Sequence, residues 1–217
     1  MEINLEQFKN IMLAMAQSIK DNVSYLTELD ARIGDGDHGV NMEKGFKRIA
    51  WKVEQTEAQD IGQILIESGK VLLNEIGGAM GPLYGGGFVK AGTALKGKKI
   101  LDKKDIATLF SLFLDSVKFL GQAKVGDKTM VDTLEPFVSK YREQIKDNDI
   151  VTSFKAGLAK AKEGMQSTRN MVSKVGRSSR LLERSRGHID VGAASSYLIL
   201  ETFYRKIKDL KVQDESS

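Results

Sequence analysis

The 217-residue sequence contains no cysteine and only two prolines and two histidines. The absence of cysteine excludes disulfide bonds and cysteine-ligated zinc, and it is typical of a reducing compartment. No apolar run approaches the length of a membrane-spanning helix, and the acidic N-terminus lacks the apolar region of a secretory signal peptide. We therefore expect a cytoplasmic protein with no membrane partner.

Charge of one sign is also not in large excess. The 33 basic and 29 acidic residues leave a net charge of +4. A surplus this small is weak evidence for nucleic acid, and no basic patch is interleaved with aromatic residues. We expect no nucleic-acid partner.

The chain has no segment with the apolar alternation of a β-strand bounded by turns. Apolar residues instead recur at helical spacing along most of the sequence. This pattern predicts an all-α fold of about eight helices, and the short connections favour antiparallel neighbours. With no linker and no repeat, residues 1–210 are expected to form a single domain, followed by a flexible tail over residues 211–217.

The segment 28–41 concentrates four carboxylates, three glycines and one of the two histidines. Carboxylates gathered on a glycine bend repel one another unless a cation lies between them, and all-oxygen ligands suit Mg²⁺ or Ca²⁺. An EF-hand does not fit: counted from Asp35, the glycine is second instead of sixth, and position twelve is Phe46. The alternative is an ordinary polar surface loop.

A helix is predicted immediately after this loop, over residues 41–54. The apolar positions Met42, Phe46, Ile49 and Val53 have helical spacing. A helix N-terminus favours phosphate through its free N–H groups and its dipole. Carboxylates beside such an end therefore indicate a site for metal-bridged phosphate.

Three further connections, at 77–87, 121–133 and 174–192, alternate with predicted helices. The spacing is compatible with all four loops meeting at one rim of an up-and-down array. Six of the eleven residues in 77–87 are glycine, so we expect this loop to bring backbone N–H groups to a phosphate, with a flexible connection as the alternative. The next helix is predicted over residues 88–95.

Single residues in the later loops also fit a nucleotide. Thr129 and Arg177 could bind phosphate, and Met130 could pack on a purine. Core packing is the alternative for Met130, and the other arginines of 177–186 are equally suited to a protein partner or to solvent. His188, like His38, lies within two residues of an aspartate in a glycine-containing loop.

Four ordered motifs resemble the nucleotide-binding L domain of dihydroxyacetone kinases. They are Ile-Gly-Asp-Gly-Asp-His-Gly at 33–39, Gly-Gly-Ala-Met-Gly-Pro-Leu-Tyr-Gly at 77–85, Gly-Asp-Lys-Thr-Met at 126–130 and Glu-Arg-Ser-Arg-Gly-His-Ile-Asp at 183–190. The resemblance extends from about residue 5 to 210. It implies an antiparallel barrel of eight helices with a nucleotide at one end.

The resemblance also implies the site. Asp30, Asp35 and Asp37 would hold two Mg²⁺ ions that bridge the phosphates of ADP or ATP. No catalytic general base is implied on this chain. The residues implied to surround the nucleotide are His38, Gly39, Val40, Asn41, Ala79, Met80, Gly121, Met130, Arg177, Asp190, Val191 and Gly192.

The resemblance is greatest to the bacterial split enzyme. There, a phosphotransferase-system protein phosphorylates ADP held by the L subunit, and the phosphoryl group passes to dihydroxyacetone on a separate K subunit. Both proteins are thus expected partners, and a homodimer is an arrangement that the sequence allows. At three places, Met80, Gly86-Gly87 and Val191, the sequence departs from the residues that are usual in this family. We expect these three departures to touch the nucleotide site and to alter nucleotide affinity or the choice of partner.

Four hypotheses follow. In the first, the chain is a phosphoryl-transferring subunit that either holds ADP permanently or exchanges it with ATP. In the second, it is a diverged regulatory module that senses nucleotide. The third is the nucleotide domain of an acyl kinase, which the short chain disfavours, and the fourth is a metal-stabilised helical bundle that binds no nucleotide.

Overall fold

The computed structural model describes residues 1–215, and most of them are helical. The two strands have two residues each and pair antiparallel, with Ile3 opposite Leu101. Short 3₁₀ segments cover Thr168–Asn170 and Arg177–Ser185. The strands are β1 (Ile3–Asn4) and β2 (Ile100–Leu101), and the helices are α1 (Leu5–Asp21), α2 (Val23–Ile33), α3 (His38–Gln55), α4 (Ile61–Glu75), α5 (Met80–Ala94), α6 (Lys103–Gly121), α7 (Val131–Gln144), α8 (Ile150–Ser167) and α9 (Val191–Glu215).

Eight of the nine helices in the described chain form a closed ring. Helix α1 packs on α3, each helix from α3 to α9 packs on the next, and α9 returns to α1. Short connections make successive helices antiparallel. Helix α2 lies outside the ring against α3 and α9. The predicted all-α class and antiparallel barrel are confirmed. About eight helices were predicted, and α2 is the additional ninth helix of the described chain.

The barrel interior is filled by apolar side chains from every helix of the ring. One end contains a cluster of phenylalanines whose ring centroids lie 4.7–5.6 Å apart. Burying each such ring stabilises the fold by roughly 1.5–3 kcal/mol. This rigid core holds the helix ends, and therefore the loops, in fixed positions. The cluster consists of Phe110, Phe137, Phe154 and Phe203.

The predicted glycine loop over 77–87 is too long and the predicted helix over 88–95 too short, because α5 begins at Met80 and continues to Ala94. Only residues 77–79 of the predicted loop precede the helix. The glycines serve close packing of α4 on α5. A Cβ on Gly69 would lie 2.6 Å from the carbonyl oxygen of Gly85, and a Cβ on Gly85 would lie 2.8 Å from that of Gly69. Only glycine permits this approach, and the tertiary contact outweighs its low helix propensity.

Three other boundaries differ from the sequence prediction. Helix α2 extends through Asp30, which was placed in the loop, and α3 begins at His38 instead of residue 41. Helix α9 continues to Glu215, so residues 211–215, predicted as tail, are helical. Ser216 and Ser217 of that predicted tail lie outside the described residues.

Among residues 1–215, no helix combines the length and the apolar character needed to cross a lipid bilayer.

Candidate functional site

A cavity of about 510 Å³ opens at one end of the barrel. Its volume is within the range of small-molecule sites, about 300–1,000 Å³. The expected convergence of the four connections at one rim is confirmed, because residues from each of them line this cavity. The contributing segments are 30–41, 77–84, 117–131 and 175–192.

Three carboxylates form the acidic wall of the cavity. Asp30 is buried in the last turn of α2, whereas Asp35 and Asp37 are exposed in the turn that follows. One oxygen from each lies within 4.8 Å of the others. Gly36 has a φ of 76°, which lets the chain turn back between the two exposed aspartates. Charges this close repel unless a cation is shared, so the triad suits a hard divalent metal.

Gly34 is needed for the position of Asp30. A Cβ at residue 34 would lie 2.1 Å from Asp30 Oδ1, which is far inside van der Waals contact. The Asp30 carboxylate also accepts a hydrogen bond from the His38 N–H at 3.2 Å through its other oxygen. The turn after α2 thus connects one metal-ligand candidate to the start of α3.

Arg177 reaches the same carboxylates from the far side of the cavity. Its guanidinium is in contact with Asp35, and its Nη1 lies 3.9 Å from Asp37 Oδ2. Gly176, with a φ of 73°, turns the chain immediately before it. The geometry brings an exposed, planar cation to the mouth of the cavity, where it can bind phosphate oxygens bidentately.

His38 begins a buried hydrogen-bond chain beneath the carboxylates. Its Nε2 lies 3.1 Å from Ser195 Oγ on α9, and Ser195 Oγ lies 2.9 Å from the Tyr84 hydroxyl on α5. The Tyr84 hydroxyl also lies 3.1 Å from Ser196 Oγ. Burial lowers the pKa of His38 to about 4, although Asp30 opposes the shift. At neutral pH the imidazole is therefore uncharged and orients α3 relative to α5 and α9.

The cavity also has an apolar wall. Met130 is buried at the start of α7, and the Thr129 hydroxyl accepts a hydrogen bond from the Val131 N–H at 3.1 Å. Thr129 is thus partly committed to its own turn. The apolar residues of this wall are Leu83, Val117, Leu120, Ala123, Met130, Val131 and Val191.

Thirteen of the fifteen predicted site residues line the cavity, and Gly39 and Val40 do not. A Cβ on Gly39 would lie 2.4 Å from the Val23 carbonyl oxygen, so this glycine serves packing of α3 on α2. Val40 is 55% exposed. Both residues thus lie outside the cavity lining. The residues that line the cavity are Asp30, Asp35, Asp37, His38, Asn41, Ala79, Met80, Gly121, Met130, Arg177, Asp190, Val191 and Gly192.

One of the three departures was misplaced. Met80 and Val191 line the cavity, but Gly86 and Gly87 do not. A Cβ on Gly86 would lie 2.6 Å from Leu120 Cδ1, and one on Gly87 would lie 2.5 Å from the ring of Phe113. These glycines allow α6 to pack closely on α5 and have no direct part in the site.

Sequence reasoning missed Lys128, Tyr84 and Ser195. Lys128 is 1% exposed, and its ammonium donates hydrogen bonds to the backbone carbonyls of Thr168 and His188. His188 thus contributes its backbone to the site. Lys128 and Tyr84 lie within two of the quoted motifs, but no local pattern indicates which residues they pair with, because the partners lie 40 to 157 residues apart in the sequence.

Asp190 caps α9 at the inner side of the cavity. Its Oδ1 accepts a hydrogen bond from the Ala193 N–H at 2.7 Å. The residue is partly accessible, but protein atoms surround the carboxyl group densely. Burial raises the pKa of Asp190 to about 7, and the cap hydrogen bond and Lys128 act in the opposite direction.

Comparison with known proteins supports the earlier resemblance. A family model described as the DAK2 domain matches residues 32–205. The ADP-binding subunit DhaL of the PEP-dependent dihydroxyacetone kinase 2 of Listeria innocua is 35% identical over 203 residues, covering 93% of this chain and 94% of that protein. The ADP-binding subunit DhaL of Escherichia coli K12 is 36% identical over 202 residues, with 93% and 96% coverage.

A solved structure confirms the fold independently. The dihydroxyacetone kinase of C. freundii, in complex with AMP-PNP and Mg²⁺, superposes with a TM-score of 0.74 at 23% identity. The match covers 94% of this chain and 34% of that larger protein. Since the family model spans most of the sequence and two relatives exceed 30% identity over nearly their whole length, the chain belongs to the DAK2-domain family of dihydroxyacetone kinase ADP-binding subunits.

Proposed function

We propose that the chain is the ADP- and Mg²⁺-binding subunit of a dihydroxyacetone kinase. In this proposal it receives a phosphoryl group from a phosphotransferase-system protein and passes that group to dihydroxyacetone on a separate K subunit. The observation that carries the proposal is the convergence of the three carboxylates, Arg177 and several helix N-termini on one cavity.

The chemistry of the carboxylates fits the metal. Asp30, Asp35 and Asp37 offer only oxygen atoms, and their 4.8 Å grouping is compact enough to share cations. Mg²⁺ prefers oxygen ligands and is usually bound by a few carboxylates together with substrate phosphates. We propose that these three residues hold two Mg²⁺ ions.

The helix ends around the cavity fit the phosphates. Helices α3, α5 and α7 begin at this rim, and none of their N-cap residues makes a side-chain cap hydrogen bond. The first N–H of α3 is accepted by Asp30, and that of α7 by Thr129. Helices α1, α4, α6 and α8 begin at the opposite end, and each is capped by an Asn or Asp side chain. Uncapped N–H groups and helix dipoles attract anions. The rim is thus suited to phosphate, and the opposite end is not.

The remaining predicted residues complete a nucleotide site. The apolar wall around Met130 is suited to the base, and Asn41, Ala79, Gly121 and the 190–192 turn lie around the same cavity. We propose that ADP occupies it, with Arg177 beside the terminal phosphate.

Phosphoryl transfer requires positioning and charge neutralisation more than acid–base groups. When bound, Mg²⁺ supplies part of that neutralisation on the phosphate oxygens. This chain contributes the carboxylates that hold the metal and the guanidinium of Arg177. No general base is assigned to it, because the subunit that binds dihydroxyacetone can supply one.

The alternatives are an ATP-exchanging kinase subunit and a diverged regulatory module that senses nucleotide. Met80 and Val191, the two departures that line the cavity, support the regulatory module. Turnover of dihydroxyacetone with matching K and phosphotransferase subunits separates the proposed function from the regulatory module, because a regulatory module binds nucleotide without turnover.

The experiment that tests the proposal is a nucleotide assay on purified protein. Wild type, Asp35→Asn and the exposed control Asp115→Asn are denatured, and the released nucleotide is quantified by chromatography. We expect stoichiometric ADP from wild type and control and none from Asp35→Asn. Empty wild type that binds added Mg-ATP would indicate an exchanging kinase subunit. Absence of Mg-dependent nucleotide binding in every protein would refute the proposal.

A further inference from the structure

Lys128 lies behind the inner wall of the cavity, where the 121–130 connection meets the start of α9. We propose that Lys128 is a positioning residue, which fixes the 190–192 turn for nucleotide binding without touching the nucleotide. The inference rests on the proposed function, because it concerns the same site.

Burial determines which role Lys128 can have. The residue belongs to the cavity wall, but only 1% of its surface is exposed. Its ammonium lies 2.5 Å from the Thr168 carbonyl oxygen and is also in contact with the His188 carbonyl oxygen. Two of the three ammonium donors are thus used on backbone carbonyls inside the protein, and almost none of the side chain is exposed to a phosphate in the cavity. Lys128 instead joins three segments that are distant in sequence.

The two carbonyls belong to residues that hold Asp190. His188 precedes Asp190 by two residues, and the Thr168 hydroxyl accepts a hydrogen bond from the Asp190 N–H at 3.0 Å. The Asp190 carboxylate in turn caps α9 through the Ala193 N–H. One ammonium group therefore anchors both supports of the turn that begins α9.

Electrostatic attraction also links Lys128 to carboxylates of this region. Lys128 interacts electrostatically with Asp190 and with Asp132, which is buried. The Asp132 carboxylate accepts hydrogen bonds from the N–H groups of Gly126 and Thr129, at 2.6 and 2.7 Å. Removal of the ammonium would take away a positive charge that interacts with both carboxylates, and burial makes the loss of such an interaction costly.

The backbone conformation of Lys128 is unusual for a residue with a side chain. Its φ is 63°, in the left-handed region, where non-glycine residues are uncommon. Glycine would adopt this conformation more easily. Strained residues of this kind persist where the surrounding structure determines them, often at functional sites.

The metal triad is not among the hydrogen-bond partners of Lys128 in the described chain. Asp30, Asp35 and Asp37 belong instead to α2 and the turn after it. Loss of Lys128 should therefore weaken nucleotide binding through the 190–192 turn and leave the carboxylates in place.

The test compares Lys128→Met, which keeps the length and removes the charge, with the control Lys174→Met. Lys174 pairs with Asp127 in the same connection but is mostly exposed. Dissociation constants for ADP are measured by calorimetry at saturating Mg²⁺, at a temperature where circular dichroism shows each protein to be folded. We expect Lys128→Met to raise Kd by about 10- to 100-fold, as for residues that orient ligands. We expect the control to stay within about twofold, in line with an exposed ion pair.

A second variant keeps the proposal falsifiable if Lys128→Met does not fold. Thr168→Val removes the hydroxyl that holds the Asp190 N–H while retaining the carbonyl that Lys128 binds, and it should also raise Kd. A lowered Tm with wild-type Kd in the folded variants would show a purely structural role and overturn the inference. Wild-type protein that bound no ADP would instead overturn the proposed function, and this inference with it.

Discussion

Gly34→Ala is the sharpest test of the carboxylate site, because the structure predicts that this substitution displaces a single group, the Asp30 carboxylate. The backbone at Gly34 has a φ of −136°, outside the left-handed region that favours glycine. The substitution is therefore not opposed by a positive φ. The new methyl group would lie 2.1 Å from Asp30 Oδ1 and 2.9 Å from Asp30 Cγ. The Asp30 carboxylate is the group that has to move.

The size of the effect follows from these distances. Real Cβ contacts are essentially never shorter than 3.0 Å, so the oxygen has to move by about 0.9 Å. Functional groups must stay within about 0.5 Å of their working position, and misplacement of ligand-orienting groups typically costs 10- to 100-fold in metal affinity. We expect Mg²⁺-dependent ADP affinity to fall by about that factor, or roughly 1.4–2.8 kcal/mol.

Calorimetric titration of ADP across a range of Mg²⁺ concentrations measures this loss. Higher Mg²⁺ should partly restore binding, because the carboxylate is displaced and not removed. The control is Gly97→Ala at the opposite end of the barrel, where φ is 85° and no atom lies within 4 Å of the new Cβ. It should lower stability by about 1 kcal/mol through backbone strain and leave binding unchanged. Wild-type Mg²⁺ dependence in Gly34→Ala would refute the assignment of Asp30 as a metal ligand.

Two further predictions concern stability. Gly85→Ala forces a methyl group to 2.8 Å from the Gly69 carbonyl oxygen and should lower the free energy of unfolding by about 1–3 kcal/mol, which is measured as a lowered Tm. The control Gly77→Ala, with no atom near the new Cβ, should leave Tm unchanged. Equal Tm values for the two variants would contradict the close packing of α4 on α5. The Lys211 ammonium and the α8 N-terminus lower the pKa of Asp149 to about 2 from 3.8. Its charge therefore stabilises the fold above pH 3.8, and this contribution is lost as the pH falls to about 2. In chemical denaturation, Asp149→Asn should be less stable than wild type by under about 1 kcal/mol at pH 7, and the difference should vanish near pH 2; a constant difference would refute it.

The helices were predictable because their apolar residues recur at helical spacing over long segments. The exception, 77–87, fails for a physical reason: local propensity disfavours glycine in helices by about 1 kcal/mol per residue. The compensating contact is with α4, on the other side of a turn. The pairing of Ile3 with Leu101 was also unpredictable, since two-residue strands carry no alternation.

The residues of the site likewise divide into those that were predictable from the sequence and those that were not. Asp30, Asp35 and Asp37 are close in sequence, so a local pattern sufficed to group them. The Tyr84–Ser195 contact spans 111 residues and the Lys128–His188 contact spans 60. Nothing local to either residue of such a pair indicates the other. The parts of the site that sequence reasoning missed are those that hold it in place.

The caps of the helices distinguish the two ends of the barrel. In an antiparallel ring, alternate helices begin at opposite ends, so each end has the same kind of N–H groups to satisfy. At the end away from the cavity, side chains satisfy them. At the cavity, α3, α5 and α7 begin with residues whose side chains make no cap hydrogen bond. Asp190 caps α9, and Lys128 holds it in place. The first N–H of α3 is accepted by Asp30, and the N–H groups that begin α7 are accepted within its own turn. The uncapped starts of α3 and α5 are therefore the helix ends best suited to a ligand that accepts hydrogen bonds.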